Sequence, residues 1–173
     1  MKYVAAALIA LSAPASAEVV SASSNGFEVR ETVPLVVPPN VAWSSFANVS
    51  QWWDPDHTYS GKSENLSLTL QPGGCFCERF PKGGGIEHMR VTYVEPGKHA
   101  VLTGALGPLL YEGTVGVMDV QVKPVAGGAQ LTLDYKVAGF ASGGADKLAA
   151  AVDGVLADQM TRLRTYAAHR PRT

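Results

Sequence analysis

The stretch A-D-K-L-A-A-A-V-D-G-V-L-A-D-Q-M-T-R-L-R-T-Y-A-A-H (145–169) decides the fold. Leu148, Val152, Val155, Leu156, Gln159, Leu163 and Tyr166 recur at spacings of three and four, the period of a helix with one apolar stripe. Asp146, Lys147, Asp153, Asp158 and Arg162 fall off that stripe, and Asp158 with Arg162 forms a favourable i,i+4 pair. Such a helix must lay its stripe on something apolar, and the preceding chain reads as a sheet with one apolar face.

Upstream the period drops to two. Phe27, Val29, Glu31 and Val33 alternate with Glu28, Arg30 and Thr32, and Pro38-Pro39-Asn40 ends that strand and opens a short helix around Val41–Val49. Ser50 caps a second short helix over Gln51–Trp53, which Pro55 stops. Leu66, Leu68 and Leu70 then alternate. In 75–80, Phe76, Glu78 and Phe80 oppose Cys75, Cys77 and Arg79, and in 87–93, Glu87, Met89, Val91 and Tyr93 oppose His88, Arg90 and Thr92. Further strands cover 99–103, 114–125 and 131–137, with Q-P-G-G, P-K-G-G-G, E-P-G-K and A-G-G-A as turns. The short connections make about seven mostly antiparallel strands, in an α+β domain.

The first 17 residues stand apart. Lys2, an apolar run from Val4 to Leu11, Pro14 and Ala15-Ser16-Ala17 have the form of a secretory signal cleaved after Ala17. The expectation is a leader over 1–17, then one domain over 18–173, exported to the periplasm or secreted and not membrane-spanning. Fourteen Lys and Arg against fifteen Asp and Glu argue against nucleic acid as a partner, which needs a basic face. Cys75 and Cys77 would be about 6.6 Å apart on an ideal strand, at the far edge of disulfide geometry, but a bulge at Gly73-Gly74 would shorten this. The residues leave both possibilities open.

Several motifs together resemble the SRPBCC or START-like superfamily, in an exported bacterial branch. They are Trp52-Trp53-Asp54 with His57-Thr58-Tyr59-Ser60-Gly61, G-G-C-F-C-E (73–78), G-G-x-x-x-H (84–88), G-A-L-G-P-L (104–109), Y-x-V-x-G-F (135–140) and V-D-G-V-L-A-D-Q-M-x-R-L (152–163). The resemblance spans about residues 26–166. It implies a helix-grip fold, in which a curved antiparallel sheet of about seven strands wraps a long C-terminal helix and two short helices follow the first strand. It also implies a cavity between helix and sheet, as in lipid carriers and polyketide cyclases, and it does not choose among the functions this fold hosts.

Strand glycines at 104, 113, 116 and 139 agree with such a cavity, since they leave room and let strands bend. Its expected lining is Trp53, Phe76, Met89, Val91, Tyr93, Leu102, Met118, Leu133 and Tyr135. Adjacent helix positions cannot both face inward, so one of Trp52 and Trp53 packs below and the other covers the entrance. Glu78 shares a face with Phe76 and points inward, as does Glu87 with Met89, while His88, His99 and His169 read as surface. A buried carboxylate needs a hydrogen-bonding partner, and His57, Tyr59 or Arg90 could supply it. Asp54, Asp56 and His57 lie in a turn with no supporting ligand motif, so no metal site is expected, and no cofactor motif is present. Nucleophile-elbow and phosphate-loop patterns are also missing.

The sequence therefore leads to an exported domain that holds a small hydrophobic or amphipathic ligand, lipid- or polyketide-like, in an internal cavity. The alternative is a cyclase, dehydratase or hydrolase that uses His57, Tyr59 and Glu78. A chaperone-activator role fits less well, because that family's partner is cytosolic.

Overall fold

Short turns rich in Gly and Pro make most successive strands neighbours, and the long helical connection over 36–65 carries the chain to the far edge of the sheet. A computed structural model describes residues 16–170. All but the last two residues of the predicted leader lie outside the described residues. The strands are β1 (Ser16–Ser23), β2 (Gly26–Leu35), β3 (Leu66–Leu68), β4 (Cys75–Arg79), β5 (Gly85–Glu95), β6 (His99–Gly104), β7 (Thr114–Val125) and β8 (Gly128–Gly139). They form one curved antiparallel sheet in the order β1-β2-β8-β7-β6-β5-β4-β3. Helix α1 (Pro39–Ala47) follows β2, and α2 (Asp146–Ala168) closes the chain.

The sheet has eight strands where about seven were expected. The addition, β1, pairs with β2 at the sheet edge and is exposed from Ala17 to Ser23. A strand with no buried face shows no apolar alternation, so its residues carry no strand signal. The expected cleavage point after Ala17 falls within β1.

The C-terminal helix lies where its stripe requires. Leu156, Gln159, Met160 and Leu163 are buried, Leu148, Val152 and Tyr166 pack at the margin of the core, and the helix lies beside β2 and β1. Truncating Leu163 to Ala would remove fully buried methyls, at a cost of about 2–5 kcal/mol. Pro39 opens α1 as expected. The second short helix is displaced: a 3-10 turn covers Val49–Gln51, and the backbone leaves helical geometry at Trp52, with φ −135°. Both indoles are consequently buried, Trp52 donating to the Ser45 carbonyl (2.9 Å) and Trp53 to that of His57 (3.0 Å). The expectation that only one could face inward fails because the pair is not helical.

Strand β5 departs from strict alternation twice. Phe76 pairs with Met89 and Cys77 with Glu87, so His88 is an extra residue opposite β4. Val91 pairs with Leu102 and Tyr93 with Val101, so Thr92 is an extra residue opposite β6. Each bulge reverses the facing of the residues beyond it. His88, expected at the surface, is buried, and Glu87, expected inside, is exposed and paired with Arg90 (3.0 Å). Tyr93, expected in the lining, is 47% exposed on the outer face, its ring against His99. Cys75 and Cys77 form a disulfide across Cα atoms 5.4 Å apart, beside the first bulge and not at Gly73-Gly74.

Candidate functional site

A line of aromatic rings crosses the molecule from α1 to the 3-10 segment Gly107–Tyr111. Phe46 meets Trp52, Trp52 meets Trp53, and Trp53 meets Phe76 edge-on with centroids 5.2 Å apart. Phe76 meets the His88 ring at 4.9 Å, His88 meets Tyr59 at 5.8 Å, and Tyr59 meets Tyr111 at 6.5 Å. The line starts in the core and ends at the surface, where Tyr59 is 40% and Tyr111 is 76% exposed.

Midway along it lies a buried polar pair. Glu78 is 1% and His88 5% exposed, with His88 Nε2 3.1 Å from Glu78 Oε2. The chain at 59–60 folds over this carboxylate: the Tyr59 amide donates to Oε2 (3.1 Å), and the Ser60 amide donates to Oε1. Burial pushes the Glu78 carboxyl up, but the donors from Ser60, Tyr59 and His88 outweigh it and hold the group below its ordinary range. Burial also lowers the His88 pKa against the pull of Glu78. The stable state is thus a carboxylate accepting from a neutral imidazole. With the proton on Nε2, His88 Nδ1 carries the lone pair.

The opposite flank of the loop is fastened to α2. Gln159, the one polar residue on the helical stripe, accepts from the Asp54 amide (2.8 Å), which fixes its side-chain orientation. Its Nε2 then donates to His57 Nδ1 (3.1 Å). Arg162 pairs with Asp54, and the Asp54 side chain caps the Pro55–His57 turn by accepting from the Asp56 amide. The turn expected at Asp54, Asp56 and His57 is present. His57, though exposed, serves the helix side of the loop and does not meet Glu78. Of the predicted polar set, Tyr59 and Glu78 come together and His57 stays apart, while His88 completes the pair.

Tyr59 also donates from its hydroxyl to the Gly107 carbonyl (2.8 Å), and the Tyr135 hydroxyl accepts from the Leu106 amide (3.2 Å). Burial, then the neighbouring Tyr111, raises the Tyr59 pKa, and burial pushes Tyr135 up to about 12. Both phenols therefore stay neutral and tether the 106–111 segment.

The interior beyond these rings is filled. Phe76, Met89, Val91, Leu102, Met118, Leu133 and Tyr135 are each no more than 5% exposed. A chamber wide enough for a lipid would present these walls to a water-sized probe, and they present almost nothing. Gly116 leaves no space either, because a Cβ there would collide with the Tyr135 ring. At Gly104 a Cβ would collide with the His88 carbonyl, so this glycine permits close backbone approach at the bulge. The expected preformed cavity is thus corrected to a closed interior. A surface concavity of about 590 Å³, lined by residues such as Pro39, Pro96 and Lys123, lies at the opposite end of β6 from the aromatic line.

Ligand atoms of Cys75, Cys77 and Glu87 lie within 4.8 Å of one another, but the disulfide occupies both sulfurs and Arg90 holds the carboxylate. Among the described residues, no helix is long and apolar enough to cross a membrane.

No family model matches this chain. No curated protein matches it either. Solved structures do. An uncharacterized protein from Rhizobium leguminosarum aligns over 91% of this chain and 100% of its own, with 15% identity and a TM-score of 0.61. CalU16 from Micromonospora echinospora aligns over 90% of this chain and 86% of its own, with 9% identity and a TM-score of 0.58. DynU16, from the dynemicin biosynthetic locus, aligns over 82% of this chain and 47% of its own, with 19% identity and a TM-score of 0.57. At these identities the likeness is one of fold alone.

Proposed function

We propose that this chain is an exported domain that binds a small amphipathic molecule, with a lipid- or polyketide-like body and one polar end, at the seam beneath Tyr59. The observation that carries the reading is the Glu78–His88 pair, seated at the inner end of exposed aromatic rings and at the edge of an apolar interior. A ligand's polar end exchanges hydrogen bonds with His88 Nδ1 or the Tyr59 hydroxyl. Its apolar body lies on Tyr111, Tyr59, Phe76 and Trp53. Met89, Val91, Leu102, Met118, Leu133 and Tyr135 form the floor that such a body reaches as the loop at 54–61 lifts, and Tyr93 leaves the set. Burying about 300 Å² of apolar ligand surface yields roughly 7 kcal/mol before the costs of association and loop opening.

The test is titration with a medium-chain fatty acid and with a polycyclic aromatic phenol, monitored by residue-resolved NMR. The reading expects saturable shifts concentrated at Tyr59, Tyr111 and His88 for at least one of them, lost in Tyr59→Ala. Shifts confined to the surface around Pro39, Pro96 and Lys123 would contradict it. Export is supported by the leader sequence, and the mass of protein recovered outside the cytoplasm should correspond to a chain starting at Glu18.

A specific observation supports a second reading, acid–base catalysis on the bound molecule. Glu78 orients His88 so that Nδ1 is a base, an arrangement suited to proton abstraction next to a carbonyl. In that reading His88, and not His57, acts with Glu78 and Tyr59. His88→Gln keeps a donor toward Glu78 and removes the base. It weakens binding in both readings, and only if the protein is an enzyme does it also abolish turnover at saturating concentrations of the molecule.

A further inference from the structure

The Cys75–Cys77 bridge encloses a single residue, Phe76. So short a loop removes little freedom from the unfolded chain, and bracing the fold is a poor account of it. Its local effect is larger. It draws the two Cα atoms to 5.4 Å, against roughly 6.6 Å for alternate residues of an extended strand. The surplus lies directly across the ladder. One step on β4, from Phe76 to Cys77, faces two steps on β5, from Met89 to Glu87, and His88 is the extra residue. Shortening β4 leaves β5 with excess length, and a bulge takes it up.

That bulge decides which side chain meets Glu78. It turns His88 inward to 3.1 Å from the carboxylate and Glu87 outward to Arg90. Regular pairing would reverse the two, with His88 outward opposite Cys77 and Glu87 inward against Glu78. Cys75 and Cys77 are half-buried and alternate with the inward-facing Phe76 and Glu78, which places both on the outer face of the sheet.

We propose that Cys75–Cys77 is a redox-active disulfide, reduced in the folded protein by a dithiol donor, and that its state sets whether His88 is seated on Glu78. A donor thiolate attacks one sulfur; a mixed disulfide forms as the Sγ–Sγ bond breaks, and the expelled cysteine thiolate takes a proton. The donor's second thiolate then attacks the mixed disulfide and leaves the donor as its own disulfide. The second cysteine is released and protonated. Two electrons and two protons pass from donor to protein. Once reduced, β4 relaxes toward its extended length and the bulge at His88 loosens. This concerns the seat of His88 whatever molecule binds beside it, so the inference stands apart from the ligand reading.

The experiment treats the folded chain with dithiothreitol in the absence of denaturant, alkylates it, and weighs it. Side-chain nitrogen NMR of His88 is recorded as a function of pH on the oxidised and reduced forms. Expected are two alkyl groups per chain with the far-ultraviolet dichroism retained, and a His88 midpoint that rises on reduction toward the roughly 6.5 of a free imidazole. The variant carrying both Cys75→Ser and Cys77→Ser should show the reduced-form His88 signal with no reductant present. The proposal is overturned if alkylation requires denaturant. It is equally overturned if the reduced protein and the double variant both keep the oxidised His88 titration.

Discussion

Glu31 on β2 and Glu78 on β4 both point into the sheet's covered face, and they are 2% and 1% exposed. Glu78 is surrounded by donors and stays ionised. Glu31 faces Asp153 of α2, and Glu31 Oε1 and Asp153 Oδ1 are buried without a hydrogen-bond partner. Burial, and then the Asp153 charge, push the Glu31 carboxyl up to about 8. Equal burial thus gives opposite charge states, and the surroundings make the difference. At Glu78 a folded loop and a bulge bring hydrogen to the oxygens. At Glu31 a helix brings a second carboxylate, and a shared proton is the remaining way to satisfy the pair.

The largest effect should come from removing the acceptor at the first site. Glu78→Ala leaves the Tyr59 and Ser60 amides and the His88 ring without their acceptor, and urea denaturation at pH 7 should show a loss of about 3–5 kcal/mol. If the loss is under 1 kcal/mol, the donors around Glu78 do not hold the loop.

The two glutamates should also respond oppositely to pH. Glu78 has a folded value below its ordinary 4.5, so its contribution is complete above that pH and is lost as acid is added through the lower folded value. Glu31 is raised to about 8 from the same 4.5. Its contribution is complete below 4.5 and is lost as the pH climbs through 8. Glu31→Gln should therefore raise stability by about 2 kcal/mol at pH 8.5 and change it little at pH 5, measured as paired urea curves. An equal effect at both pH values would show that Glu31 is ionised throughout.

Gly104→Ala tests the bulge that separates the two environments. The added Cβ collides with the His88 carbonyl, at a residue with φ +155°, so a loss of about 1–3 kcal/mol is expected, with the His88 signal moving as well. His57→Ala should have the smallest effect, under about 1 kcal/mol in the same assay, because it removes one contact of an exposed ring with Gln159. A loss comparable to that of Glu78→Ala would make His57 the principal anchor of the loop.

The sequence made some of this legible and concealed the rest for identifiable reasons. The period of three and four in 145–169 placed α2, and strict alternation in C-F-C-E put Glu78 inside. Glu31 lay on the inward line with Val29 and Val33, and was legible as buried. Its partner was not, because Asp153 falls off the helical stripe. His88 was misplaced because alternation carries no register, and one extra residue in β5 exchanges the inner and outer faces for its successors. The same reasoning misplaced Tyr93 one bulge further on. Gln159, a polar residue on an apolar stripe, was the available sign that the helix meets a polar group inside. The preformed cavity was implied by the family resemblance, and the strand glycines agreed with it, but Gly116 receives the Tyr135 ring and Gly104 admits the His88 backbone.

The most direct test is the side-chain nitrogen spectrum of His88 in the oxidised protein between pH 5 and 8. The expected result is a midpoint below the ordinary imidazole value, with hydrogen on Nε2 of the neutral ring. A His88 that protonates freely near pH 6.5, as an imidazole in water does, would place it outside the sheet and remove the polar end of the site.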